Sequence, residues 1–176
     1  MGDTLMTVIA IFLAVILMFL FPMLSVSERA DDISQLAVET AVTDFVDTAR
    51  ATGKVTAANY EKLVNSLNAT GNSYVIEMER QILDENVGKK TAWTNKNVKG
   101  ENKHISIYTT QILEDVLNDA KGNVHLMNEG DNFSCTAKND NTTISQTFRS
   151  VFYSISSNDS YQVGAQHSGM VTATGN

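Results

Sequence analysis

From Leu5 to Val26 the chain carries no charged residue, and most positions are Leu, Ile, Val, Phe, Met or Ala. A run apolar on every side predicts a helix that needs lipid or other apolar helices around it. About 22 residues at ~1.5 Å rise make roughly 33 Å, enough to cross a hydrocarbon core of ~30 Å. One alternative is a buried core helix, but a small domain rarely hides a helix that is apolar all round. Another is a cleaved secretory signal, since Ser25-Val26-Ser27 offers small residues at cleavage-type spacing. Against it, Met1-Gly2-Asp3-Thr4 has no Lys or Arg, and the apolar run exceeds the usual signal core of ~7–15 residues. The expectation is a permanent anchor over residues 1–26, with Leu5, Ile9, Phe12, Ile16, Phe19 and Pro22 among its positions.

The pattern then changes without a break. Ile33, Leu36, Ala37, Ala41, Phe45 and Ala49 recur at helical spacing, and Gly53 follows as a C-cap. One helix from about Thr4 to Thr52 is expected, apolar all round in its first half and amphipathic in its second. That six-residue stripe is expected to pack on a folded head. Pro22, the only proline, removes one backbone hydrogen bond and either kinks the helix or is tolerated as membrane-helix prolines are.

Shorter elements follow. Thr56 is placed to cap a helix with Tyr60, Leu63, Val64 and Leu67 on one face. From Ser73 to Leu83 the alternation reads as a strand, with Tyr74, Ile76, Met78 and Ile82 on one side and Val75, Glu77, Glu79 and Gln81 on the other. Residues 84–103 read as a long loop or hairpin arm holding Trp93, and Ile105 to Tyr108 is extended. Ile112, Leu113, Val116 and Leu117 predict a helix, and Val124–Met127 and Asn132–Lys138 predict two strands joined by the turn-rich Asn128-Glu129-Gly130-Asp131. Thr143 caps a further helix with Ile144, Phe148, Val151, Phe152 and Ile155, and a closing strand runs from about Ser160 to Thr174. The organisation expected is an anchor at 1–26, an amphipathic helix and a second short helix at 27–72, and a head at 73–176. The fold class is α+β: a long N-terminal transmembrane helix continuing into an amphipathic helix packed on a small antiparallel sheet.

Composition sharpens this. The net charge of −7 disfavours nucleic acid as a partner, because that binding needs clustered Lys and Arg to displace counterions. Lys89, Lys90, Lys96, Lys99 and Lys103 are interleaved with polar residues and read as a solvated loop. A lone cysteine, Cys135, forms no internal disulfide and no cysteine-based zinc site, and it falls on the apolar side of its strand. His104, His125 and His167 share no ligand spacing.

A search for reaction chemistry yields no phosphate loop, no zinc-spaced His and Glu, and no nucleophile elbow. Glu77 and Glu79 share a strand face, and paired carboxylates do acid–base work only where burial raises one pKa; this face is the polar one, so the pair reads as solvated. Asn68, Asn132, Asn141 and Asn158 open glycosylation-type triplets of the kind that arise by chance in an Asn- and Thr-rich chain. No catalytic residue, cofactor site or metal site is expected.

Several short segments carry a resemblance. They are Phe21-Pro22, Thr43-Asp44-Phe45-Val46, Ala49-Arg50-Ala51-Thr52-Gly53-Lys54-Val55-Thr56, Tyr60-Glu61-Lys62-Leu63 and Ala165-Gln166-His167-Ser168-Gly169-Met170-Val171. With the apolar-to-amphipathic helix, they make the chain resemble TadE-like minor pilins and related subunits of Tad-type pilus and secretion systems. Major pilins differ: they carry a basic leader and an early glutamate, whereas here Asp3-Thr4-Leu5-Met6 follows Gly2 and the first glutamate is Glu28. The resemblance implies a lollipop-shaped, non-catalytic structural protein of the bacterial cell surface. Its partners would be the lipid bilayer and other pilin-like or secretion-apparatus subunits, with a single pass and an extracytoplasmic head. The competing expectations are an anchored binding module, such as an adhesin or receptor head, and an enzyme whose site leaves no motif.

Overall fold

The computed structural model describes residues 2–83, 104–141 and 164–175. The first element, α1, runs without interruption over Gly2–Thr52 and passes through Pro22. Neighbouring turns tolerate the single lost hydrogen bond where no competing turn residue supports a break. The helix stops at Gly53, whose φ of +66° lies in the left-handed region that favours glycine. A Cβ at Gly53 would collide with Ala173 O and Gly175 N, so the close approach of the C-terminal tail also requires glycine.

Beyond Gly53, β1 (Lys54–Thr56) leads into α2 (Ala57–Asn68). Thr56 Oγ1 accepts from Asn59 N at 3.2 Å, the expected N-cap. Next come β2 (Tyr74–Leu83), β3 (His104–Tyr108), α3 (Thr109–Val116), a 3-10 turn at Asp119–Lys121, β4 (Val124–Leu126), β5 (Asn132–Asn139) and β6 (Gly164–Met170). Strands β3-β2-β5-β6 form an antiparallel sheet in that order, and β1 pairs with β4 in a separate two-stranded ribbon. Where β3 ends, the Thr109 hydroxyl takes over from the ladder: it accepts from Met78 N at 2.6 Å and donates to Met78 O at 3.1 Å.

A long apolar N-terminal helix with a small antiparallel sheet makes this an α+β protein. Its core lies between α1 and the sheet. Val38, Val42, Phe45, Val46 and Ala49 of α1 are buried in one cluster with Phe133, Cys135 and Ala137 of β5, and α2 adds Leu63 and Leu67. The Phe45 and Phe133 rings sit 6.0 Å apart at 59°, a tilted aromatic pair. Ile112 and Val116 of α3 complete the wall.

Two expectations are corrected. The strand at Val124 does not form a hairpin with the strand at Asn132; it pairs with β1, placing Val55 opposite His125. The turn between them exists, with Asp131 N donating to Asn128 O at 3.1 Å, but β5 leaves it to lie between β2 and β6. The stripe on α1 is also shifted. Ile33 is 70% exposed, Leu36 is 65% exposed and Ala37 is exposed, whereas Val38 and Val42 are fully buried. At ~100° per residue, Ile33 and Val38 point roughly 140° apart, so the head takes the valine face and leaves the other open. The arm with Trp93, the helix at Thr143 and the start of the closing strand, with Tyr161 and Val163, lie outside the described residues.

Candidate functional site

The sequence pointed to α1 as the functional element. Leu5, Ile9, Phe12, Ile16, Phe19 and Pro22 are all exposed. The helix is long and apolar enough to cross a membrane, and none of its most apolar stretch is buried inside the fold. Of the six residues expected to pack on the head, Phe45 and Ala49 are buried, Ala41 is partly buried against the core, and Ile33, Leu36 and Ala37 face away from it.

α1 also holds the sheet's outer strand by its ends. The Gln35 side-chain amide donates to Gly164 O at 2.8 Å and accepts from Gly164 N at 2.9 Å, as a neighbouring strand would. Fifteen residues on, Arg50 Nε donates to Met170 O at 2.9 Å. The edge of β6 is thereby tied to a helix at both ends, a known way to blunt a pairing edge.

The densest polar cluster was not legible beforehand. Arg80 occupies the core face of β2, and its Nε and Nη2 reach Asp131 Oδ2 at 2.9 and 2.6 Å. Its Nη1 donates to Leu126 O at 2.6 Å and stands 3.3 Å from His125 Nε2. Arginine only donates, so Nε2 is the acceptor and the His125 Nδ1–H donates to Asp115 Oδ2 at 2.7 Å. Lys121 Nζ then donates to Asp115 Oδ1 at 2.6 Å. The chain of groups joins β2, α3, β4 and the turn before β5.

An Asp–His pair can orient a general base, but here the nitrogen that would take a proton faces Arg80. The arrangement therefore cross-links elements and presents no base. Hydrogen bonds from Lys121, then from His125, hold the Asp115 carboxyl below its ordinary value, and Asp115 in turn raises the Lys121 ammonium. Arg80 and Asp131 are both buried, and such a pair costs most when one partner is lost.

The other titratable groups have local explanations. Glu77 bonds Lys138 at 2.8 Å across the exposed sheet face. Hydrogen bonds from Ser106, then Gln81, lower the Glu79 carboxyl. His167 Nε2 lies 3.2 Å from Asp47 Oδ1, and His104 opens β3 opposite Leu83. Burial pushes the Cys135 thiol up to about 12 and raises the Tyr60 hydroxyl. Among the described residues, no group of three or more His, Cys, Asp or Glu side chains is placed to hold a metal ion.

Two shallow clefts flank α1. One, of about 130 Å³, lies against α2 and is lined by Asp44, Phe45, Thr48, Asn59, Lys62 and Leu63 among others. The second, of about 310 Å³, lies between α1 and β6 around Glu39, Thr43, Gln166 and His167. Both are open and mixed in polarity, unlike the mostly apolar, enclosing pockets that hold small ligands. The fold and its surfaces define a class of shape: a helix long and apolar enough to span a bilayer, whose far end builds a small α+β head. No family model, curated protein or solved structure matches the chain.

Proposed function

We propose that the chain is a non-catalytic, membrane-anchored structural subunit of a pilus or secretion apparatus, of the TadE-like minor pilin kind. One observation carries this reading. A single uninterrupted helix is apolar and unburied in its first half, and in its second half it supplies one wall of the head's core. A flexible tether would serve an enzyme or a receptor head equally well. A rigid rod built into the head suits a subunit that must transmit position from the bilayer to its neighbours. In this reading the first half of α1 crosses the membrane once, the head lies outside the cytoplasm, and the bilayer and sister subunits are the partners.

Two measurements on cells test it. A membrane-impermeant maleimide should label Glu114→Cys on intact cells, and the solubilised protein should migrate in an assembly far larger than one chain or a pair. Labelling only after lysis contradicts the topology. Migration as a free chain with an accessible head favours the anchored binding module instead.

A further inference from the structure

Helix α1 blunts the outer edge of β6 only at its two ends. In an antiparallel ladder, alternate residues of an edge strand turn both N–H and C=O outward. Gly164 turns its pair to Gln35, and Met170 turns its carbonyl to Arg50. Val171 faces inward, where Gly130 N donates to its carbonyl and its own N–H donates to Asp131 O. The outward set is therefore Gly164, Gln166, Ser168 and Met170. Among the described residues, nothing bonds the outward N–H and C=O of Gln166 and Ser168.

Helix α1 runs alongside this open stretch. From Gln35 to Arg50 is roughly 22 Å of helix at ~1.5 Å per residue, and from Gly164 to Met170 is roughly 20 Å of strand at ~3.3 Å per residue. Between the two ties, Glu39, Thr43 and Asp47 follow Gln35 at steps of four. Glu39 and Thr43 share the cleft of about 310 Å³ with Gln166. Thr43 is half-buried, and its hydroxyl makes no hydrogen bond among the described residues. Glu39 engages Oε1 alone, with Gln35 Nε2 at 2.7 Å. Asp47 meets both Arg50 and His167 through Oδ1, which leaves Oδ2. One wall of the cleft thus offers unpaired backbone groups, and the other offers carboxylate and hydroxyl oxygens.

We propose that this stretch docks an extended segment of a partner protein, which pairs with Gln166 and Ser168 as an added strand and carries lysine or arginine toward α1; the site is independent of the pilus-subunit reading. An added strand gains affinity from main-chain bonds and specificity from alternate side chains. Here the alternation sets the pattern. Ala165 and His167 face α1, whereas the exposed Gln166 and Ser168 face away. Residues of the added strand opposite Ala165 and His167 therefore point at Glu39 and Asp47, where a cation is the complement. Arg50 fills the space over Gly169, so the residue opposite Gly169 is small and uncharged. The free edge of a second copy does not match, because β3 reads His104-Ile105-Ser106-Ile107-Tyr108 with no lysine or arginine. An open cleft of mixed polarity also suits a main chain better than a small molecule.

The test uses the full chain in an uncharged detergent and the peptide acetyl-Ser-Thr-Lys-Thr-Lys-amide. Aligned antiparallel, its threonines fall opposite Ser168 and Gln166 and its lysines opposite His167 and Ala165. At saturating peptide, the Gln166 and Ser168 amides should exchange with solvent about tenfold more slowly by NMR. A peptide with glutamate in place of both lysines should bind about tenfold more weakly, and so should the original peptide to Glu39→Lys. Glu39 is exposed, so unchanged melting of that variant confirms its fold, and the glutamate peptide tests the same charge on the parent chain. N-methylation of both threonines should abolish binding. No binding at millimolar peptide overturns the proposal, as does binding that leaves exchange at Gln166 and Ser168 unchanged. Equal binding of the lysine and glutamate peptides, or retained binding after N-methylation, overturns it too.

Discussion

Asp115 shows how one side chain ties several elements together. Its two oxygens take Lys121 at 2.6 Å and His125 at 2.7 Å, and His125 passes the connection to Arg80. Because its pKa is lowered in the folded chain, the stability it contributes is complete above the ordinary aspartate value of about 4 and is lost as pH falls through the depressed folded value. What the raised Lys121 pKa contributes is complete below the ordinary lysine value and is lost only in strong alkali, as the pH rises through its folded value. Denaturant midpoints of the parent and Asp115→Asn, in the same detergent, should differ by a constant amount from neutral pH down to about pH 5, and the gap should close under stronger acid. A gap that widens on acidification would reverse the sign of this account. The position of Arg80 was visible in the sequence, since it falls in the apolar register of β2 between Met78 and Ile82. Its partner was not: Asp131 lies in a turn-rich stretch, and nothing local shows that its carboxylate turns inward.

Among elements, α1 carries two apolar stripes that differ by a fraction of a turn. One runs through Ile33, Leu36 and Ala37, and the other through Val38, Val42, Phe45, Val46 and Ala49. The periodicity read in the sequence joined Phe45 and Ala49 to the first stripe, and the contact of α1 with the sheet places them with Val38, Val42 and Val46 instead. The existence of the helix, its length and the role of Phe45 were therefore legible, while the facing was not. Strand β1 was hidden for a different reason: three residues are too few to show an alternation, so Lys54–Thr56 left no periodic signal, and β4, read as a strand at Val124–Met127, was given β5 as its partner in place of β1. The long alternations of β2 and β5 did leave a signal, and they form the centre of the sheet. Phe45→Ala should cost about 3–5 kcal/mol, as truncation of a buried Phe does. Ile33→Ala, at an exposed position, should cost under ~0.5 kcal/mol. Denaturation of the full chain in detergent separates the two, and equal losses would mean that the exposed stripe also supports the head.

The whole molecule is organised by α1: an exposed apolar first half long enough to span a bilayer, a valine-lined face toward the head, and a third face left open. This division was partly legible, because the uncharged run from Leu5 to Val26 and the absence of glycine between Asp3 and Thr52 already argue for one long helix. The C-terminal tail was not. Thr172 N bonds Arg50 O, and Gly175 N bonds Met127 O, so the chain closes by packing against the end of α1 through contacts distant in sequence. The central claim is that anchor and head share one continuous helix, and a distance between two points on it tests this most directly. Spin labels at Thr7→Cys and Glu39→Cys are 32 residues apart, which along one helix at ~1.5 Å per residue is roughly 48 Å. The measurement uses labelled full chain diluted with unlabelled chain in lipid, with Cys135 buried and unreactive. The account predicts one narrow distribution near that distance. A broad distribution, or one centred well below about 40 Å, would mean that a hinge separates the anchor from the head.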